Sequence, residues 1–505
     1  MTMKYLVSVS FLFTLMFNPF GGAMHTQAQS TKNKRPEVKI LKSQTLKTKS
    51  GKEIKAELGT LTVPENRAKP QSAKIKIQYA RLKSTNPNPS APLFYLEGGP
   101  GSSCTWQAKN PYYLERWSKY LALGDVILLD QRGTGKGRQR VLYIWKGDMP
   151  NNVWADMSVA DQHFNKVSKK ALAHFKEKGV DLKGYTSVEN AKDIDVLRQA
   201  LGYSKISLMG FSYGTHLGQT YIKYFGDKVE NAILVGVEGL NHTYKLPMAM
   251  DTQFKKIALL SNADPKINKD VPDLLALYKE VIQKLKKQPA EITIKSPLTR
   301  KPMKVKVGAF GLNIVLRLDI GDASDIPVFP RLLYTINQGD YSLLRWFIQK
   351  RAGMFYGIQG MAITMDKASG ASPQRIALIK SQKQTSMFGN VVNPRLDRSW
   401  PAPDLGASFR APLSTNVRTL FMSGTLDFNT PPYQAEQVRW GFANSSHIII
   451  DYAGHEQVLT HPKALETTLR FLKGENVDDV ALAYPKIKFI PVKGKPDKIK
   501  HPSIK

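Results

Sequence analysis
Two runs of this chain, Val126-Ile127-Leu128-Leu129 and Ala232-Ile233-Leu234-Val235, are apolar at every position. A strand of that kind has no face to offer water, so it must be covered on both sides, as in a parallel sheet flanked by helices. The surrounding pattern agrees. Residues 74–81 alternate, with Ile75, Ile77 and Tyr79 on one face, and the turn Asn86-Pro87-Asn88-Pro89 leads into the apolar run 92–96. Strands are expected at 126–130, 206–209 and 232–237. Between them, Thr186 or Ser187 caps a helix whose Ala191, Ile194, Leu197 and Leu201 share a face, and a second helical pattern covers 214–224. Strand and helix in alternation imply an α/β fold with a mostly parallel central sheet and helices on both faces.

The rhythm then changes. Residues 241–416 are mainly helical, at 252–260, 273–286, 341–349 and 373–380, with one hairpin expected between 291–295 and 303–307. Strand and helix resume at 419–423, 433–440, 447–452 and 463–472. One α/β domain in two parts, 56–240 and 417–475, with a helical cap inserted at 241–416, accounts for this order. No internal repeat is present.

Composition bounds the remaining possibilities. Of 505 residues, 42% are hydrophobic and 23% charged, which excludes a disordered chain. The lone cysteine, Cys104, forbids an internal disulfide or a multi-cysteine metal cluster, and no metal or cofactor site is expected. A basic start, the apolar run 5–17 and small residues at Thr26 and Ala28 read as a cleaved signal peptide, 1–28. The run falls short of the ~20 residues a membrane span needs. Export to the periplasm or beyond is therefore expected. The formal charge is +32, and much of it sits at the ends. Residues 30–55 hold nine bases against two acids, and 485–505 hold seven lysines against one aspartate. We read 29–55 as a flexible lead-in and 476–505 as a basic tail. Such ends attract an anionic envelope surface weakly. The lysines are dispersed and no recognition motif is present, so nucleic acid is not an expected partner.

Gly210-Phe211-Ser212-Tyr213-Gly214 stands between an expected strand and an expected helix, the context a G-x-S-x-G nucleophile elbow requires. A serine hydroxyl needs a base, and the base needs an orienting acid. Among nine histidines, His163, His174 and His216 fall in helical patterns, whereas His455 follows Ala453-Gly454 in the loop after a late strand. Two acids compete to orient it: Asp427, after the strand 419–423, and Glu238, just past 232–237. The chain order Ser, Asp, His favours Asp427. Glu238 retains a claim as a substrate-binding group at the rim. Oxyanion donors are expected from the Tyr213 amide and from Gly98 and Gly99, in the loop Glu97-Gly98-Gly99-Pro100-Gly101.

Taken together, the Gly-Gly-Pro-Gly loop, Asp130-Gln131-Arg132-Gly133-Thr134-Gly135 and Gly-Phe-Ser-Tyr-Gly resemble the prolyl aminopeptidase and tripeptidyl aminopeptidase family of α/β-hydrolase serine peptidases. Val237-Glu238-Gly239, Ser423-Gly424-Thr425-Leu426-Asp427 and Ala453-Gly454-His455-Glu456 extend the likeness across 59–472. The resemblance implies an α/β-hydrolase fold with a cap. It also implies cleavage of N-terminal residues from peptides with a free amine, through an acyl-enzyme on Ser212 with Asp427 and His455. Asp130 and Arg132 carry over as structural signatures. Many relatives have histidine where this chain has Glu97, and Glu97 or Glu238 could hold the substrate amine. A carboxylesterase of the same fold, or a non-catalytic protein using its basic surface, are the alternative readings.

Overall fold
The computed structural model describes residues 38–135, 141–394 and 396–494. The expected signal sequence, the first part of the lead-in and the last residues of the tail lie outside them. Fourteen strands follow in chain order among the described residues. They are β1 (Val38–Lys47), β2 (Glu53–Pro64), β3 (Lys74–Leu82), β4 (Leu93–Leu96), β5 (Val126–Leu129), β6 (Leu142–Ile144) and β7 (Ile206–Phe211). β8 (Val229–Val235), β9 (Ala290–Lys295), β10 (Pro302–Val307), β11 (Gly357–Gln359), β12 (Arg418–Gly424), β13 (Ser445–Asp451) and β14 (Leu482–Ala483) complete the set.

Ten of them form one sheet in the order β1-β2-β3-β5-β4-β7-β8-β12-β13-β14. β1, β2, β3 and β5 pair antiparallel, and every other pairing in the sheet is parallel. The central strands bury both faces, as their composition requires. Phe94, Ile127, Leu208, Leu234 and Phe421 enter one apolar layer; Tyr95, Leu128, Met209, Ile233 and Met422 enter the other. Each such side chain contributes about 1.5–3 kcal/mol by leaving water. Helix Ser187–Ala200 begins where Thr186 accepts a hydrogen bond from the Glu189 amide.

Residues 241–416 run between β8 and β12. They contain helices Pro247–Asn262, Leu274–Lys287, Ser342–Arg351 and Pro373–Thr385, with β9 and β10 paired as the expected hairpin, in a register that sets Glu291 opposite Lys306. A second excursion joins this region: β6 pairs with β11, so residues 142–144, assigned by sequence to the core, belong with the helical insertion.

Two expectations are corrected. The lead-in 29–55 is not flexible where it is described, because β1 pairs with β2 from Val38↔Leu61 to Lys47↔Glu53. As the outermost strand it is mostly exposed and needs no apolar stripe; its lysines and the bulge near Leu41 suit an unpaired edge. The segment past 475 is ordered as well. β14 pairs with β13, Phe489, Ile490 and Val492 are buried, and the Ile490 amide donates to the Pro327 carbonyl (3.0 Å).

Candidate active site
β7 ends at Phe211 and helix Tyr213–Phe225 begins two residues on, so Ser212 alone makes the turn. Its backbone takes φ 54° and ψ −123°, a region that costs a residue with a side chain about 1–3 kcal/mol. Hydrogen bonds hold it there. Ser212 N–H donates to the Val235 carbonyl (2.9 Å), and its carbonyl accepts from Thr215 N–H (2.8 Å) and Oγ1 (2.7 Å). The elbow glycines answer to crowding: a Cβ on Gly210 would overlap the Gly214 carbonyl, and one on Gly214 would overlap the carbonyl of Leu96. Gly98 also lies close, since a Cβ there would come 3.1 Å from that of Ser212.

His455 opens a short helix after β13, and its ring lies 4.9 Å from that of Phe211, the residue before Ser212. Asp427, on the loop after β12, is buried, and its Oδ2 accepts from His455 Nδ1 at 2.7 Å. An ionised carboxylate can only accept, so the Nδ1 position carries the proton and Nε2 is left free of it in the neutral ring. Burial opposes charge on both groups. For Asp427 the facing imidazole and the bonds from His455 and Thr430 outweigh it, leaving the carboxyl below its ordinary range. For His455 the charge and hydrogen bond of Asp427, aided by Glu456, outweigh burial and raise the ring above 6.5.

The profile of the α/β hydrolase fold family matches residues 91–274, and that of the TAP-like protein family matches 385–479. The chain has the α/β-hydrolase fold and carries a TAP-like part at 385–479. Over 192 residues the hydrolase is 30% identical to a tripeptidyl aminopeptidase of Streptomyces lividans, covering 35% of each chain. It is 28% identical over 197 residues to the serine protease Hip1 of Mycobacterium tuberculosis, again covering 35% of each. The matches thus span about a third of the length of these curated relatives. Among solved structures, the hydrolase is similar to a proline iminopeptidase-related protein of Thermus thermophilus. That likeness covers 86% of this chain and 98% of the other, at 14% identity and a TM-score of 0.32.

In the hydrolase, the loop that follows β4 is braced from the Asp130-Gln131-Arg132 motif. Gln131 Nε2 donates to the carbonyls of Glu97 (2.8 Å) and Gly98 (3.1 Å), while its Oε1 accepts from Gly101 N–H (2.9 Å). Asp130 accepts from the amides of Cys104 and Thr105. Arg132, fully buried, holds Asp193 through Nε (2.8 Å) and Nη2 (2.8 Å). Sequence reading passed over Gln131, although its place between two signature residues marked it. The three oxyanion candidates differ in state: Tyr213 opens the helix after Ser212, Gly99 has φ 117°, and the Gly98 amide donates to Oε1 of Glu97 (3.0 Å).

The competition between acids is settled by position. Asp427 bonds His455, whereas Glu238 is buried and ion-paired with Lys245. A carboxylate buried at a strand end needs a counter-charge, and Lys245 supplies it, so Glu238 is not open to an incoming amine as expected. Glu97 is different. It holds Tyr95 Oη (3.3 Å), the Gly98 amide and Gln107 Nε2 (2.8 Å), none of them cationic. Burial raises its carboxyl above the ordinary range. Among the described residues no group of three or more His, Cys, Asp or Glu is arranged to hold a metal ion.

Proposed function
We propose that this hydrolase is a serine aminopeptidase that removes residues from peptide N-termini. Ser212 attacks the scissile carbonyl while His455 takes its proton, and Asp427 stabilises the imidazolium that results. Backbone amides of Tyr213 and Gly99 serve the oxyanion, since the Gly98 amide is taken by Glu97; the imidazolium returns its proton to the leaving amine, and water releases the acyl-enzyme. The observation that carries the peptidase reading is a gathering of acids without cations. Glu97 and Asp322 each act on Glu456, the residue after His455, and none of the three forms an ion pair among the described residues. Desolvation beside the site, then Asp322 and Asp427, raise the Glu456 carboxyl despite the pull of His455, although the residue itself stays exposed to solvent. In a chain of formal charge +32, such a cluster suits a substrate that brings its own cation, the α-ammonium of a peptide. Export by residues 1–28 would bring the enzyme to extracytoplasmic peptides.

Aminoacyl arylamides with free and with acetylated amines test this reading. The free amine should win by about thirtyfold or more in kcat/KM, because one charge-assisted bond to a carboxylate contributes about 2 kcal/mol. Equal turnover of the two, or preference for short acyl esters, would replace the aminopeptidase with an esterase. The pH profile is a second expected outcome. The reaction needs neutral His455, whose ring is raised above 6.5, so kcat/KM should fall as pH drops through a midpoint above that value. An acid limb centred below it would contradict the pairing with Asp427.

A further inference from the structure
Asp427 and His455 do not meet alone. Thr430, fully buried, stands against both: its Oγ1 lies 2.5 Å from Asp427 Oδ2 and 3.1 Å from His455 Nδ1, and its N–H donates to Asp427 Oδ1 (3.0 Å). The protons follow by elimination. The carboxylate only accepts, so the Thr430 hydroxyl donates to Oδ2, and the Nδ1–H of His455 is directed between Oδ2 and Oγ1. Gly236 closes the other side with φ 63°; a Cβ there would come 3.0 Å from Thr430 Oγ1 and 3.2 Å from His455 Cε1. Gly236 follows Val235, whose carbonyl holds the Ser212 amide. Hydroxyl, imidazole and the backbone beneath Ser212 therefore pack against one another.

We propose that Thr430 is a positioning residue for this reaction, its hydroxyl fixing the carboxylate of Asp427 so that Oδ2 presents a defined lone pair to His455 Nδ1. The inference rests on the Ser212–His455–Asp427 reading above. Two consequences follow. Without the hydroxyl the carboxylate can rotate, and the ring loses the orientation that proton transfer from Ser212 needs. The hydroxyl also draws negative charge from Oδ2, so its removal leaves a carboxylate that stabilises the imidazolium more. The other charged groups that act on His455 are Glu456, on its own helix, and Lys245, from the segment after β8; neither bonds the ring.

Two substitutions separate hydroxyl from shape. Thr430→Val keeps the shape and removes the donor; Thr430→Ser keeps the donor and removes the methyl group. The probe is p-nitrophenyl acetate, which reports on the serine whatever the peptide preference, read alongside the rate of fluorophosphonate labelling. Thr430→Val should lower kcat about tenfold or more with KM within about twofold, as expected for a lost bond to a charged group. Its acid limb should move to higher pH. Thr430→Ser should stay within about threefold of wild type and keep the wild-type limb. Where the valine variant does not fold, Thr430→Ala carries the same expectation. A packing role would reverse the order, with serine the harmful change, a lowered Tm and no movement of the limb; that pattern, or wild-type kcat and limb in Thr430→Val, overturns the proposal. Failure of the underlying reading looks different: wild type would escape labelling at Ser212, or Ser212→Ala would turn over as fast, and the Thr430 proposal would fall with it.

Discussion

Ser212→Ala should lower kcat by about a million-fold while the protein melts within a few degrees of wild type. The two halves of that expectation have separate physical origins. Alanine keeps the Cβ, so the strained backbone at φ 54° and the hydrogen bonds from Ser212 N–H to Val235 and from Thr215 to the Ser212 carbonyl are untouched. Only the hydroxyl goes, and with it the covalent route; what survives is the modest help of oxyanion donors and substrate binding. Asp427→Asn should cost about ten-thousandfold, because the amide can donate to the ring and favour the wrong tautomer. The fold carries its own control. Ser423 Oγ lies 2.9 Å from His447 Nε2, and the opposite ring nitrogen of His447 pairs with Glu436, a second serine–histidine–acid chain. Ser423 is fully buried in the regular strand β12, with neither an elbow nor access for a carbonyl. Ser423→Ala should therefore retain turnover of p-nitrophenyl acetate. If Ser212→Ala keeps more than about one hundredth of wild-type activity, the nucleophile lies elsewhere.

That decoy shows what a linear pattern can and cannot reveal. The central strands are legible because burial on both faces leaves a composition no surface element shares, and the elbow is legible because crowding at Gly210 and Gly214 admits no side chain. β1 is not, since an edge strand rich in lysine has the composition of a linker until β2 is placed beside it. The stretch 485–494 fails for a related reason: Phe489, Ile490 and Val492 are buried against other elements without any period of their own. β6 reads as part of the core because its partner, β11, lies more than two hundred residues further on, at Gly357–Gln359. In the site, chain order favours Asp427 over Glu238, but the reason Glu238 is closed, its pairing with Lys245, is a contact and not a motif. Thr430 lies three residues past Asp427, a spacing at which a turn can return an amide and a hydroxyl to the carboxylate; its contact with His455 requires β13 to lie beside β12.

The largest effect on stability is expected at Gly214. A Cβ there would overlap the carbonyl of Leu96 and approach the Glu97 carbonyl oxygen at 3.1 Å, so Gly214→Ala pits one backbone against another. Flexible side chains yield to an added methyl group; the end of a central strand does not. Ordinary overpacking costs about 1–3 kcal/mol, and here we expect at least the upper end, about 3 kcal/mol, visible as a lowered Tm. The damage should also reach the chemistry, because relief comes by pushing β4 away from the elbow, and β4 leads directly into Glu97, Gly98 and Gly99. Loss of kcat should thus exceed what the fraction unfolded explains. Gly218→Ala, one turn further along the same helix, is the matched comparison. Its Cβ would meet only Leu234 Cδ2, at 3.3 Å, and Leu96 Cδ1, at 3.8 Å. Both are the ends of side chains that can shift, and alanine gains about 1 kcal/mol of helix propensity over glycine. Gly218→Ala should accordingly melt within a few degrees of wild type and retain activity. Equal tolerance at the two positions would mean that contact between the elbow and the end of β4 does not hold Ser212 in place.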